Sequence, residues 1–303
     1  MWLKCVRCGA TGLKHDGTAW KCGSCEAKFP VIDEVPRFVG RELYTESIGF
    51  QWNRFARTQL DSASGTTRSR DTFVQKTGWS LNDLRGKRVL DAGCGMGRFA
   101  EVCADAGAEV HAVDLSTAVE AAFRNLGHRP NIRVYQADIM NLPFPEESFD
   151  FIYSIGVLHH TPSTKAAFLN LPALLKSGGA IAIWVYSRKL RLLWGGEILR
   201  KLTLSMPKSS LLKASKIAIP MYQIHRIPLV GMVTSILLPT SMDSDPQWRW
   251  LDTFDWYSPE YQSKHTYPEV FRWFQTEGLI KIRLLDFPVA VSGTKPRNPL
   301  NDN

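Results

Sequence analysis

Residues 89–99 read VLDAGCGMGRF, and this stretch decides the fold. An apolar run ends at the acid Asp91, a glycine-rich turn follows, and an amphipathic helix is predicted from Met96 onward. A short strand that turns through glycines into a helix is typical of open α/β sheets, which bind ligands at the carboxyl ends of their strands. The glycine spacing is G-x-G-x-G, one residue tighter than the dinucleotide fingerprint G-x-G-x-x-G. The stretch therefore predicts a ligand-binding strand end at Asp91.

Acidic residues stand at the ends of three predicted strands. These residues are Asp91, Asp114 and Asp138. A carboxylate at a strand end repels a pyrophosphate and attracts a cation, so the pattern favours a cationic ligand over a dinucleotide. Asp114 could instead be an acid that only favours the start of the next helix through the helix dipole. Because the order of strand, acid and helix recurs, we expect the acids to bind a ligand.

The segment of residues 87–186 resembles the class I S-adenosylmethionine-dependent methyltransferases. The family's motifs correspond to VLDAGCGMGRF, EVHAVDLS and QADIMNLPFPEESFDFIYSIGVLHH, in the family's order and spacing. The resemblance implies that the glycine turn approaches the methionine part of the cofactor, with Asp91 near its amino group. It also implies that Asp114 binds the ribose hydroxyls and that Asp138 binds the adenine amine. The cofactor site implied in this way consists of Asp91, Gly93, Gly95, Gly97, Asp114, Leu115, Asp138, Ile139, Ser154 and Ile155.

Two cysteine pairs lie near the N-terminus. Cys5-x-x-Cys8 and Cys22-x-x-Cys25 are separated by thirteen residues, a spacing that predicts four thiolates around one Zn²⁺. A rubredoxin-like iron site or a redox pair are the alternatives. The following residues 29–38, FPVIDEVPRF, resemble the tail of a zinc-ribbon family that includes a methyltransferase activator, although Glu34 stands where that family usually has glycine. Because residues 1–40 hold no concentrated basic patch, we expect the ribbon to stabilise the enzyme rather than bind nucleic acid.

The remaining predicted elements alternate between strands and helices, which indicates a parallel sheet with right-handed crossovers. Strands are expected near 87–92, 109–113, 131–137, 149–154 and 179–186, helices near 96–106, 116–126 and 163–176, and an antiparallel pair near 279–286 and 288–292. Gly178 and Gly179 are expected to end the third helix. The predicted fold class is α/β, a doubly wound, seven-stranded, Rossmann-like methyltransferase sheet with a small N-terminal zinc ribbon and a helical insertion.

The chain divides into four predicted parts. These are a zinc ribbon (1–40), a helical lead-in or lid (41–86), a methyltransferase domain (87–293) with a helical insertion (188–262), and a disordered tail (294–303). In the lead-in, Gln51 and Trp52 could touch cofactor or substrate, although an aromatic cluster of this kind is more often core. The start of the chain resembles no secretory signal, and paired cysteines do not suggest a disulfide framework, so we expect a cytoplasmic protein.

The insertion accounts for the net positive charge of the chain. Residues 188–242 hold nine Lys and Arg against one acid, Glu197, and the difference of +8 equals the formal net charge of all 303 residues. Apolar residues alternate with the cations, which suits contact with an anionic membrane surface or an amphiphilic anionic substrate. A helical lid with its charges in water is the plainer alternative. The longest uncharged run, 227–242, contains two prolines and is too short to cross a bilayer.

Catalytic candidates follow the fourth strand and the insertion. His160 would line the substrate side, and Tyr257, Tyr261 and His265 could orient or deprotonate the acceptor. His265 could equally be a capping residue beside the predicted capping box of Thr266 and Glu269.

The predicted function is methyl transfer from S-adenosylmethionine to the oxygen, nitrogen or carbon of a small or amphiphilic acceptor, which would be anionic if the basic insertion faces it. The predicted cofactors are S-adenosylmethionine and Zn²⁺, and the predicted partner is a small-molecule or amphiphilic acceptor. Peripheral contact with the inner membrane face and a lid whose charges face water are the two alternatives for the basic insertion, and nucleic acid is the less expected partner. A tRNA or rRNA methyltransferase is the alternative, weakened because residues 154–157 lack the N-P-P-Y-type motif of that group. A non-enzymatic cofactor-binding protein is a further alternative. Acceptor identity and oligomeric state are left open.

Overall fold

The computed structural model describes residues 2–40, 44–188 and 194–297, and for Trp194 and Gly195 it describes the backbone alone. Two predictions fall partly outside these ranges. Residues 298–303 of the predicted tail are not among the described residues, and neither are Lys189, Arg191, Leu192 and Leu193 of the basic insertion.

The N-terminal ribbon is a small antiparallel sheet. Its described strands are β1 (Lys14–His15), β2 (Ala19–Lys21), β3 (Lys28–Ile32) and β4 (Val35–Pro36). The two residues between β3 and β4, Asp33 and Glu34, have φ angles of 48° and 63°. Two consecutive left-handed residues are the mark of a type I′ hairpin turn, which glycine, asparagine and aspartate favour. Glu34 therefore adopts a backbone conformation that glycine would adopt without strain.

The central sheet of the described residues has seven strands, and it confirms the predicted fold class. Their order across the sheet is β10-β11-β9-β8-β5-β6-β7. Strands β5 to β9 pair in parallel, whereas β11 pairs antiparallel to both β9 and β10, as expected for the last two strands. The strands are β5 (Arg88–Ala92), β6 (Glu109–Asp114), β7 (Ile132–Gln136), β8 (Phe149–Ile155), β9 (Leu175–Trp184), β10 (Ile280–Leu285) and β11 (Ala290–Thr294).

The ribbon docks on the β7 edge of this sheet. The Phe38 N–H donates to the Gln136 carbonyl at 2.8 Å, and the Lys4 N–H donates to the Pro143 carbonyl at 2.9 Å. The Trp2 ring packs against the ring of Phe149 with the centroids 5.6 Å apart. Buried ribbon side chains thus join the core of the main sheet. This docking gives a partner to an edge strand that would otherwise expose its hydrogen-bonding groups.

Helices of the lead-in and of the main domain cover both faces of the sheet. The lead-in helix α1 approaches the main domain closely at Gly49, where an added Cβ would lie 2.2 Å from Thr117 Oγ1. The helices are α1 (Glu46–Arg54), α2 (Asp61–Ser64), α3 (Arg68–Thr77), α4 (Arg98–Asp105), α5 (Ala118–Leu126) and α6 (Thr164–Leu169).

The insertion is helical, as expected. A last helix then returns the chain to the sheet, and its capping box of Thr266 and Glu269 is formed as predicted. No described helix has both the length and the apolar character that a membrane span requires. The helices are α7 (Trp194–Thr203), α8 (Lys208–Ser215), α9 (Ala218–Ile224), α10 (Val230–Leu237) and α11 (Pro246–Tyr257), followed by α12 (Tyr267–Thr276).

Two predicted boundaries are wrong. The helix expected over 163–176 ends at Leu169, and Gly178 and Gly179 lie inside β9 instead of ending a helix. They belong to an irregularity of the β8–β9 pair, in which the four residues 176–179 of β9 lie opposite the single residue Asp150 of β8. Gly178 takes a φ of 77° there. Thr294, which was expected to be the first residue of the tail, instead pairs with Ala180 in the sheet.

Candidate active site and zinc centre

The four ribbon cysteines meet at one point. Their sulfur atoms all lie within 4.8 Å of one another. The Cys5 and Cys25 sulfur atoms are 3.6 Å apart, and so are those of Cys8 and Cys22. Tetrahedral zinc with Zn–S bonds near 2.3 Å requires sulfur atoms about 3.8 Å apart. The chain turns sharply after each C-x-x-C sequence. There the Gly9 N–H donates to the Cys5 carbonyl, and the Glu26 N–H donates to the Cys22 carbonyl. The donor set therefore fits a structural zinc centre.

A cavity of about 520 Å³ opens at the carboxyl ends of the parallel strands. Helices α1, α3 and α11 cover it, so lead-in and insertion together form its roof. We call one part the glycine-turn half; it is lined by Gly93, Gly95, Asp114, Leu115, Asp138 and Ile139. We call the other part the tryptophan half; it is lined by Lys76, His160, Trp184, Trp248, Asp252 and Asp255.

Backbone hydrogen bonds position the glycine-turn half. The Gly93 and Cys94 N–H groups both donate to the Val113 carbonyl at 2.8 Å, which ties the turn after β5 to β6. The Gly95 N–H donates to Asp114 Oδ2 at 2.9 Å, and Ser116 donates to Asp114 Oδ1 through its N–H and its hydroxyl. Burial raises the pKa of Asp114, while these hydrogen bonds lower it. The turn thus presents its backbone and a fixed carboxyl group to the same space.

Two features of the glycine-turn half fit an adenosyl cofactor that has an amino-acid part. Gly93 has a φ of 103°, and an added Cβ would lie 2.3 Å from Val157 Cγ1, so a side chain there would distort the turn. The side-chain oxygens Thr45 Oγ1 and Gln51 Oε1 are buried at the cavity without a hydrogen-bond partner among the described residues. Buried polar atoms without partners are rare and point to a missing ligand or water. Trp52 lies against Gly95, so both lead-in residues singled out from the sequence line the cavity.

His160 and its neighbours form one wall of the tryptophan half. His160 Nδ1 lies 2.9 Å from the Tyr261 carbonyl, so Nδ1 carries a proton and donates it, and in the neutral ring Nε2 is then the acceptor. Nε2 is buried, has no hydrogen-bond partner among the described residues and lies 4.0 Å from Asp255 Oδ2. The Tyr186 hydroxyl donates to the same Asp255 oxygen at 2.8 Å.

Charged groups also line the tryptophan half. The Lys76 ammonium lies 3.3 Å from the Trp184 ring centroid, and burial lowers the pKa of Lys76 well below its usual value. Burial also lowers the pKa of Arg98, to about 10. On α11, burial raises the pKa of Asp252 to about 7, and the charges of Asp255 and Asp243 raise it further. This half therefore combines aromatic faces with cations and with an acid that titrates near neutrality.

Residues 90–183 match a family model described as a methyltransferase domain. The chain carries a class I S-adenosylmethionine-dependent methyltransferase domain. Its cofactor is S-adenosylmethionine, and the glycine-turn half lies where the strands of this domain end.

Curated methyltransferases are similar in sequence to about a third of the chain. A ubiquinone biosynthesis O-methyltransferase of Coxiella burnetii is 34% identical over 110 residues, which are 36% of this chain and 47% of that protein. A phosphoethanolamine N-methyltransferase of Caenorhabditis elegans is 34% identical over 107 residues (34% and 24%), and a sterol 24-C-methyltransferase of Gibberella zeae is 31% identical over 106 residues (33% and 27%). This chain thus spans at most about half the length of these relatives, whose names describe methyl transfer to oxygen, nitrogen and carbon.

Solved structures resemble the chain over more of its length. The magnesium protoporphyrin IX methyltransferase of Synechocystis, solved with bound SAH, covers 83% of this chain and 96% of its own, with 17% identity and a TM-score of 0.46. An S-adenosylmethionine-dependent methyltransferase of Mesorhizobium loti covers 70% and 92%, with 19% identity and a TM-score of 0.43.

The structure places three of the expected cofactor residues of the methyltransferase domain away from the cavity wall. Asp91 is buried beneath the turn, where burial and the charge of Asp114 raise its pKa to about 8. Gly97 faces α5, where an added Cβ would lie 2.4 Å from Leu126 Cδ1. The Ser154 hydroxyl donates to the Ala92 carbonyl at 2.7 Å and joins β8 to β5. Gly97 and Ser154 thus contact protein groups, whereas Asp91 Oδ2 is buried without a hydrogen-bond partner among the described residues. The expected contact of Asp91 with the cofactor therefore stays a prediction.

Of the three leading catalytic candidates, Tyr257 and His265 do not line the cavity, whereas His160 does. The Tyr257 hydroxyl donates to the Pro239 carbonyl at 2.6 Å and fastens α11 to the preceding loop. His265 uses both ring nitrogens, Nδ1 with Glu269 Oε1 and Nε2 with Ser263 Oγ, each at 2.9 Å. Tyr261 packs its ring against Tyr44 and reaches the site only through its carbonyl, which binds His160.

The cavity residues that were not predicted include the charged side chains Lys76, Arg98, Asp252 and Asp255. A signal exists for the two acids, because Trp248, Asp252 and Asp255 are spaced four and three residues apart and so share one face of α11. Lys76 is a single cation in a polar helix of the lead-in, and no local pattern distinguishes it from a solvent-facing lysine.

The pKa of Asp252 predicts how stability depends on pH. Since its folded-state pKa of about 7 lies above its ordinary value of 3.8, the folded protein binds the extra proton between these values and loses stability as the pH rises through them. Asp252→Asn should therefore raise the free energy of unfolding by about 1–2 kcal/mol at pH 8 and leave it nearly unchanged near pH 3.5. Urea unfolding at both pH values measures this difference. The exposed Asp286→Asn is the control, and an equal gain at both pH values for Asp252→Asn would contradict the account.

Proposed function

We propose that this protein transfers the methyl group of S-adenosylmethionine to a small or amphiphilic acceptor bound in the tryptophan half. One observation carries the proposal: the glycine turn with Asp114 and the wall with His160 and Trp184 line a single cavity. A donor on the first half and an acceptor in the second would be held side by side without water between them. Alignment of two reactants in this way supplies much of the rate of a displacement reaction.

The residues of the chain would position the donor through its polar groups. When bound, S-adenosylmethionine supplies an electrophilic methyl group on a positively charged sulfur. The backbone of Gly93 and Gly95 would contact its methionine part, while the carboxylates of Asp114 and Asp138 would accept hydrogen bonds from the ribose and the adenine. The buried oxygens of Thr45 and Gln51 offer further acceptors at the same wall. The roof of α1 would exclude water from the reacting atoms.

Asp114→Asn tests the donor site. The variant removes a negative charge and one hydrogen-bond acceptor, so it should weaken the binding of S-adenosylhomocysteine about 10- to 100-fold. Isothermal titration calorimetry at pH 7.5 measures the dissociation constant, with the exposed Asp105→Asn as a matched control. An unchanged dissociation constant for a folded Asp114→Asn protein would contradict the assignment.

For an oxygen or nitrogen acceptor, His160 would take the proton. Its Nδ1–H is held by the Tyr261 carbonyl, and its Nε2 carries a free lone pair beside Asp255, whose carboxylate would stabilise the imidazolium that forms. A carbon acceptor would not need this base.

His160→Asn separates this role from a structural one, because an asparagine amide can replace the Nδ1–H bond to Tyr261 while Nε2 is lost. We expect kcat to fall about 10²- to 10⁴-fold with the affinity for S-adenosylhomocysteine retained. Transfer of a tritiated methyl group to a panel of phenols, amines and carboxylates measures the rate. Wild-type activity of the variant towards every oxygen and nitrogen acceptor that the enzyme methylates would exclude His160 as the base.

An apolar surface on the insertion supports an amphiphilic acceptor. Exposed apolar side chains lie on α7, on α10 and just before α10, and we call this surface the insertion face. Its residues, each 59–76% exposed, are Ile198, Leu202, Leu229, Met232 and Leu237. Exposed cations of the same segment include Lys201, Lys213 and Arg226. Apolar groups together with cations suit the surface of an anionic membrane. We therefore propose that the insertion face contacts such a membrane peripherally.

Vesicle flotation tests this contact. The double variant Leu202→Ser with Met232→Ser should reduce partition onto vesicles with 30% phosphatidylglycerol about tenfold, because two exposed apolar side chains are lost. Leu284→Ser, which changes an exposed leucine of β10, is the matched control. Equal flotation of wild type on anionic and on neutral phosphatidylcholine vesicles would refute the charge-dependent contact. The RNA alternative has no support from the relatives described above, none of which is named for an RNA substrate.

A further inference from the structure

Lys76 is a buried cation whose visible partners are aromatic rings. Its ammonium lies 3.3 Å from the Trp184 ring centroid and 4.5 Å from that of Phe287. In residues 2–40, 44–188 and 194–297, no carboxylate lies within ion-pair distance of Lys76. A buried charge without an ionic partner costs folding free energy. Burial lowers the pKa of Lys76 well below its usual value, so an anionic partner would have to favour its charged form. Lys76 lines the cavity, where a ligand can supply that partner.

Arg98 adds a second cation of the same kind. Its guanidinium donates to Ser69 Oγ at 2.9 Å, Gln59 Oε1 at 3.3 Å and Thr72 Oγ1 at 3.4 Å, and all three acceptors are uncharged. These bonds fix its orientation without neutralising it. The nearby Arg68 differs, since it forms a bidentate pair with Asp243.

The acids of the tryptophan half neutralise these cations only in part. Asp252 has a pKa of about 7 and accepts from the Ser241 hydroxyl at 3.3 Å, and Asp255 accepts from the Tyr186 hydroxyl. Neither acid is paired with Lys76 or Arg98 in the described part of the chain. The positive charge of this half is therefore left for a molecule that enters the cavity.

The position of Lys76 assigns it to the acceptor rather than to the donor. Its partner Trp184 ends β9, and Phe287 lies between β10 and β11. In the sheet, β9, β11 and β10 lie on one side of β8 and β5. Asp114, which ends β6, and Asp138, which follows β7, lie on the other side. The ammonium is thus on the acceptor side of the glycine turn.

We propose that Lys76, supported by Arg98, binds an anionic group of the methyl acceptor, a carboxylate or a phosphate, while the adjoining body of the acceptor packs against Trp184 and Trp248. This inference rests on the proposed function and narrows its acceptor to molecules with such a group. Aromatic faces suit a planar or ring-shaped body next to the anion. The ammonium would exchange its contact with an aromatic ring for a charge-assisted hydrogen bond, which is stronger.

The probes are benzoate and phenyl phosphate, with benzamide as the neutral match. Quenching of tryptophan fluorescence measures their binding, because Trp184 and Trp248 line the proposed site, and each titration is run with and without saturating S-adenosylhomocysteine. For wild type we expect at least one of the two anions to bind about tenfold or more tightly than benzamide. If the carboxylate binds and the phosphate does not, or the reverse, the result identifies the anionic group. Equal binding of both anions and benzamide would overturn the inference.

Lys76→Met is the decisive variant. It should lose about 10- to 100-fold in affinity for the preferred anion, bind S-adenosylhomocysteine as wild type does, and unfold at a higher temperature because an unpaired buried charge is gone. Lys165→Met, which changes an exposed lysine on α6, should leave both affinities unchanged. Lys76→Gln, which keeps a polar head, gives the same test if the methionine variant does not fold.

Two results would count against Lys76. Weaker binding of S-adenosylhomocysteine by Lys76→Met would show that Lys76 serves the donor's own carboxylate, and a lower unfolding temperature with unchanged anion affinity would show a purely structural role. Failure of wild type to bind S-adenosylhomocysteine would contradict the proposed function instead, and the titrations without it would still decide whether the anion site exists.

Discussion

The hydrogen bond from the Gly95 N–H to Asp114 is the contact on which the site depends. It joins the turn after β5 to the acid that ends β6, and the Val113 carbonyl strengthens the junction by accepting from Gly93 and Cys94. Because the turn is held in this way, its backbone faces an open space at the strand ends instead of packing on the sheet. The cavity that results is the place where strand ends of a parallel sheet bind ligands in general.

The parts of the chain outside the domain core complete this cavity. The lead-in contributes Gln51, Trp52 and Lys76, and the insertion contributes the charged face of α11. The ribbon does not reach the cavity wall, yet it packs on β7 and its core joins that of the residues around Ile139. We infer that the ribbon supports the adenine end of the site through this packing, and its stabilising role stays a prediction.

The sequence predicted what local patterns encode. The alternation of strands and helices along the chain, the glycine turn, the acid Asp114 at a strand end and the capping box at Thr266 follow from short motifs, because each depends on residues within a few positions. The orientation of a side chain depends on packing between distant segments, so Ser154 was assigned to the cofactor although its partner is the Ala92 carbonyl. For His265 the sequence left catalysis and capping open, and the structure pairs it with Glu269 of the capping box. Lys76 escaped notice for the same reason, since its burial comes from Trp184 and Phe287, more than a hundred residues away.

The central claim is that acids at the ends of β6 and β7 bind a cationic methyl donor in preference to a dinucleotide. Calorimetric titration of the wild-type protein with S-adenosylmethionine and, separately, with NAD at pH 7.5 tests it directly. The account predicts saturable binding of one equivalent of S-adenosylmethionine and no measurable heat of binding with NAD. Binding of NAD with equal or higher affinity, or no binding of S-adenosylmethionine, would contradict it.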